Sequence, residues 1–222
     1  FVVMSKQSLQ AFYSTSLEEV SSLRTLFSEE QQRYGQAAKN LSAAVQNEAT
    51  LRRAAETVNE AYSNFTPVTT QLFQQLENNL TLRDNIDSNL SDLETHADDM
   101  ASLILDFTDV RDVQRRFPRS YQAATSIETG INTLISNVVD LNRTTSDTTA
   151  NTISNEIAFR LKELNDQFET IKTETAGQVS LIDDLAEKFS EINKLLAGSG
   201  SIVELKTRRL QSTAEATTLL AS

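Results

Sequence analysis

Cysteine and tryptophan are absent from this 222-residue chain, and there are only two prolines, five glycines and one histidine. Each shortage excludes something. Without cysteine there is neither a disulfide nor a thiolate metal site, and nothing is decided about redox compartment. A lone His96 makes a histidine-based metal centre improbable. Ordinary proteins carry roughly 7% Gly and 5% Pro; so few breakers leave little material for the turns of a β or α/β fold and favour long helices. No run approaches the ~18 apolar residues of a membrane span. The net charge of −11 argues against a nucleic-acid binder, which needs a basic face, although it allows a local cationic pocket. No Gly-rich phosphate loop, HExxH or nucleophile elbow occurs, so no enzyme activity, metal or cofactor is expected.

What is present is helical periodicity. From Ser8 to Phe65 one apolar stripe persists through Phe12, Val20, Leu23, Phe27, Tyr34, Leu41, Val45, Leu51, Ala55, Val58 and Tyr62, mostly at steps of three and four. This predicts one helix of nearly sixty residues, roughly 90 Å long, ended by Thr66-Pro67 because the residue before proline avoids the α region. A second long helix is expected over about Val68 to Val113. A third begins near Pro118 and runs through Tyr121, Ile127, Leu134 and Leu141 before NRTTSDTTANT, a loop or N-cap stretch. A fourth spans Ile153 to Ile171, with a turn at Gly177. A fifth runs from Val179 to Leu196. Gly198-Ser199-Gly200 precedes the sixth, from Ser201 onward.

The expected fold is all-α, with two long and four short helices. Counting up and down strokes gives two four-helix bundles stacked end to end, with both chain ends at one pole. The membrane-proximal module would comprise about 1–34, 92–145 and 201–222, and the membrane-distal module about 35–91 and 146–200.

The opening FVVMSKQSLQ, the two-long, four-short layout and the closing GSGSIVELKTRRLQSTAEATTLL together resemble the helical bimodular sensor domain of bacterial chemoreceptors and some sensor histidine kinases. The resemblance implies a periplasmic domain of an inner-membrane protein, between a membrane span before FVVM and another after Ser222. It also implies a small carboxylic acid bound between helices and a homodimer that signals across the membrane. FVVM also reads as an ordinary frayed terminus. The alternatives are a passive helical scaffold or stalk, and a kinase sensor domain that reads a periplasmic binding protein.

Candidate ligand residues are cations near the apolar stripes, since a planar guanidinium suits a carboxylate. Arg24 sits beside Leu23 and Phe27 with no acid one turn away, or snorkels to solvent. Arg143 ends the third helix beside Thr144, or serves the helix dipole. Arg209 follows Ile202 and Leu205 at inward spacing, whereas Arg208 reads as solvated. Tyr34 and Tyr121 line a pocket or simply pack. Arg52 and Arg83 frame a possible distal site, or pair with Glu56 and Asp87 at i+4. Asp98-Asp99 and Asp183-Asp184 are consecutive, diverge on a helix and read as solvated. His96 reads as structural or solvent-facing.

Overall fold

The structure, a computed structural model, describes residues 2–176 and 179–221. The expected turn at Gly177 lies outside the described residues, as do Phe1 and Ser222, which the expectation placed at one pole. Among the described residues the chain is all-helical, 90% helix with no strand. The helices are α1 (Val2–Tyr13), α2 (Leu17–Ala44), α3 (Ala49–Asp109), α4 (Val113–Arg116), α5 (Pro118–Arg143), α6 (Asp147–Thr175), α7 (Leu181–Leu196) and α8 (Ile202–Ala221).

Eight helices replace the expected six, and most of the corrections fall in the first half of the chain; in the second half, the four-residue α4 precedes α5, and α6 begins at Asp147 rather than near Ile153, which shortens the expected loop to 144–146. The predicted helix over Ser8–Phe65 is broken twice. At Ser14–Ser16, the Ser16 side chain accepts from Glu19 N at 3.4 Å, and Ser14 Oγ accepts from Ser16 N at 3.2 Å while donating to Glu19 at 2.6 Å. This is a close relative of the S-x-x-E capping box, written in the sequence as Ser16-Leu17-Glu18-Glu19. At Val45–Glu48 the chain reverses without glycine or proline, and Glu48 N bonds Val45 O at 3.1 Å. The apolar stripe runs unbroken across both places, which is why periodicity alone does not reveal them.

Conversely, the turn expected at Thr66-Pro67 does not form, and Pro67 lies inside the 61-residue α3. A proline in a helix interior costs about 3 kcal/mol, but packed side chains flank it along α3: Phe73 is fully buried, Leu72 is 3% exposed, and the rings of Phe65 and Phe73 both lie tilted against Phe27. Each buried side chain of that size contributes about 1.5–3 kcal/mol, so packing carries the helix through. The hydroxyls of Thr69 and Thr70 donate to the carbonyls of Phe65 and Thr66 beside it.

The later elements follow the periodicity closely. Pro118 occupies the first turn of α5. Ser146 caps α6 by accepting from Thr149 N at 3.3 Å, with Thr144 Oγ1 accepting from Ser146 N at 3.2 Å, the same arrangement as Ser14–Ser16. Between α7 and α8, Gly198 and Gly200 adopt φ of 103° and 76°, a region that favours glycine. Ser201 then caps α8 by accepting from Glu204 N at 3.3 Å.

The contacts define two compact units: Phe1–Leu82 with Gln211–Ser222, and Arg83–Leu210. This grouping differs from the expected modules, because 92–145 and 146–200 fall in one unit and 1–34 shares its unit with 35–82. In the first unit, α2 runs antiparallel to α3: Arg24 meets Glu77, Tyr62 donates to Gln31 O and Tyr34 donates to Val58 O. α8 joins them through Ser212 to Gln75 O at 2.9 Å. α1 supplies Met4 and Ala11 to a core with Val20, Phe27, Phe73 and Leu80.

In the second unit α5 and α6 are antiparallel: Ser120 donates through its N–H and hydroxyl to Glu174 near one end, and Gly130 abuts Leu164 further along. The end of α3 lies antiparallel to α7, with Lys188 bonded to Asp99 at 2.7 Å. The core holds the predicted Ile127, Leu134 and Leu141, together with Leu93, Met100, Phe107, Leu164, Phe168, Leu185 and Phe189.

Candidate anion-binding site

The cations named from the sequence fall in different places. In the first unit, Arg24 is paired with Glu77 at 2.5 Å and its side chain is 46% exposed, so the partner missing at i±4 comes from α3. Tyr34 stacks on Tyr62 with ring centroids 4.0 Å apart, and its hydroxyl donates to Val58 O at 3.3 Å. Burial raises its pKa, and the neighbouring Tyr62 adds to this. Arg52 pairs with Glu56 at 3.8 Å on the surface, as the i+4 spacing suggests.

In the second unit, Arg83 pairs with Asp84 at 2.7 Å. Arg143 is exposed, and Thr144 spends its oxygen on the α6 cap. Arg208 is an exposed partner of Glu204. Tyr121 lines a groove of about 910 Å³ between α5 and α6, with Thr125, Thr129, Gly130, Arg160 and Leu164. His96 Nδ1 is buried without a partner. Among the described residues no group of histidines and carboxylates could hold a metal, and no helix is long and apolar enough to cross a membrane.

The most unusual group is one the sequence reading left out. α8 turns Ile202, Leu205 and Lys206 inward, at 0%, 6% and 4% exposure, with Arg209 half-buried one turn on. Lys206 Nζ reaches the last turn of α5, donating to Asn142 O at 2.8 Å. Among the described residues it has no carboxylate partner, although a buried ammonium ordinarily requires one. Burial, with the nearby Arg209 adding to it, lowers the Lys206 pKa from 10.5 to about 8. Arg209 is itself lowered by burial and by Arg83, against the opposing pull of Asp87 and Asp84. Asn142 Oδ1, beside the ammonium's acceptor, is buried without a partner.

The site therefore joins Lys206, Arg209 and Arg83, three cations facing two acids, with the one unshared charge the most deeply buried. Lys206 was legible: Ile202, Leu205, Lys206 and Arg209 fall at i, i+3, i+4 and i+7, one helix face. Its single ammonium lacks the planar fork that marks an arginine as a carboxylate ligand.

No family model matches the chain, and neither a curated protein nor a solved structure matches it.

Proposed function

We propose that the chain is the extracytoplasmic ligand-binding domain of a transmembrane receptor, a non-enzymatic sensor that takes a small organic acid between its helices. The observation that carries this reading is Lys206: a buried ammonium in the second unit, held among the described residues by a backbone carbonyl and no carboxylate, with Arg209 and Arg83 beside it. A carboxylate placed there gives the ammonium the counter-charge it lacks. The acid shifts signalling only so far as it binds one helix arrangement better than another, and α8, which carries Lys206 and Arg209, is the element it biases.

In this reading the domain lies in the periplasm, anchored to the inner membrane by flanking spans, and works as a homodimer in a chemotaxis-type transducer. Leu9 of α1 and Leu219 and Leu220 of α8 border a common recess, so the first and last helices are neighbours, as such a relay requires. The finer picture of two stacked four-helix bundles belongs to the same proposal.

The test is calorimetry of the protein against a panel of mono-, di- and tricarboxylates, repeated with Lys206→Met and Arg209→Ala. We expect one acid class to bind, and both variants to weaken it by at least about tenfold, or 1.4 kcal/mol. Binding of equal strength in both variants removes the site; no binding to the unaltered protein removes the reading.

A further inference from the structure

The first unit holds a recess of a different chemistry. Between α1, α3 and α8 lies a cavity of about 510 Å³ walled by Leu9, Phe65, Val68, Leu72, Leu219 and Leu220. That volume lies within the range of small-molecule sites. Leu72 at its floor is 3% exposed, while Leu9 and Leu220 at its edge keep 49% and 38% of their surface in water. Apolar side chains are thus left wet around an opening that neither α1 nor α8 closes.

The polar groups on the wall narrow the occupant. Among the described residues no lysine, arginine, aspartate or glutamate lines the cavity, so an ionised ligand would be desolvated there without a counter-charge from them, at a cost of several kcal/mol. The two buried hydroxyls have already spent their protons: Ser8 donates to Met4 O at 2.8 Å and Thr69 to Phe65 O at 3.0 Å. Asn64 also faces the cavity, and its side-chain amide, which bonds to no described residue, offers one donor group and one acceptor.

We propose that this recess is a second binding site, for an uncharged, mostly apolar small molecule bearing a single hydroxyl or carbonyl group that meets Asn64. The ligand bridges α1 and α8, so its binding ties the first helix to the last. It stands apart from the acid site at Lys206 in both place and chemistry, and neither depends on the other.

The experiment uses the uncharged dye Nile red as probe, displaced by 1-decanol or by decanoate, two chains of equal length that differ in charge. Two variants accompany it: Ala61→Phe, which fills the recess from an exposed position, and Leu9→Asp, which sets a charge at its mouth. Helix content and melting are followed for both. We expect dye emission to rise, decanol to displace it, decanoate to be weaker by at least about tenfold, and each folded variant to lose binding by a similar factor. Lys206→Met leaves dye binding unchanged while weakening acid binding by at least about tenfold, so the two sites fail separately. The proposal is overturned if the unaltered protein takes up no dye, if decanoate competes as well as decanol, or if a folded variant binds as before. It is equally overturned if sedimentation shows dye uptake following self-association, since a second copy would then be the occupant.

Discussion

The ammonium of Lys206 on α8 donates to the carbonyl of Asn142, in the last turn of α5, across 2.8 Å. This one bond ties the two helices, satisfies a carbonyl that the end of α5 leaves open, and commits a positive charge to a site 4% exposed. Both a stability effect and a binding effect follow.

The stability effect has a defined sign. The folded pKa of Lys206 is lowered from 10.5 to about 8, so between those values the unfolded chain holds a proton that the folded chain has released. Stability therefore rises with pH across that window and is flat below it. The depression corresponds to roughly 3 kcal/mol held against the fold at neutral pH, from which loss of the carbonyl bond subtracts about 1 kcal/mol. Lys206→Met is expected to be more stable than the parent by about 1–2 kcal/mol at pH 7, with the gap closing and reversing towards pH 10.5. Urea melts at several pH values measure it; a variant less stable at pH 7 contradicts the assignment.

For binding, the ligand needs the charged form. Affinity for the organic acid is expected to hold level below pH 8 and to decline above it, because the neutral amine offers no counter-charge. The residual affinity of Lys206→Met should show no such decline. Calorimetry at pH 6.5 and 9.5 compares the two proteins, and parallel profiles would assign the pH dependence elsewhere.

The glycines in helix interiors separate propensity from packing. At Gly35 a Cβ would meet nothing within 4 Å, whereas at Gly130 it would lie 2.6 Å from Leu164 Cδ2. Replacing a helical glycine by alanine gains about 0.8–1 kcal/mol, while overpacking a core costs about 1–3 kcal/mol. Gly35→Ala is thus expected to stabilise by up to about 1 kcal/mol, and Gly130→Ala to destabilise by about 1 kcal/mol, since Leu164 is itself only 3% exposed. Thermal melts of both give opposite signs; equal signs would mean that α5 and α6 do not approach at Gly130.

The second half of the chain was legible because its apolar periods and its breakers agree. Pro118, Ser146 and Gly198-Ser199-Gly200 punctuate helices whose inward faces begin and end at the same places. In the first half the two signals part company. Periodicity runs from α1 through α2 into α3, so the breaks must be carried by hydrogen bonds: Ser16 capping Glu19, and a turn at Val45–Glu48 that has neither glycine nor proline and only Asn47 as a turn-favouring residue. The only strong breaker there, Pro67, is overridden by tertiary packing. The candidate site was half legible for a similar reason. Arg209 was found by its inward spacing, but Arg24 acquires Glu77 from 53 positions away, a pairing that no local spacing foretells.

Pro67 offers the sharpest test of that reading. Within α3 it lacks the N–H that would bond Ser63 O, so it removes one rung of a continuous helix. In a chain reversal the same proline would hold a turn in place, and alanine there would loosen it. Because α3 is unbroken from Ala49 to Asp109, Pro67→Ala restores a donor and is expected to stabilise the protein by about 1–3 kcal/mol, with a small gain in helix content. Ala55, Phe65, Leu72 and Phe73 pack one side of the helix on both flanks of the proline, so the backbone needs no rearrangement to accept the change. Urea unfolding and far-ultraviolet circular dichroism read the result. A loss of stability on Pro67→Ala would restore the turn at Thr66-Pro67 and return the reversal from Val45–Glu48 to it.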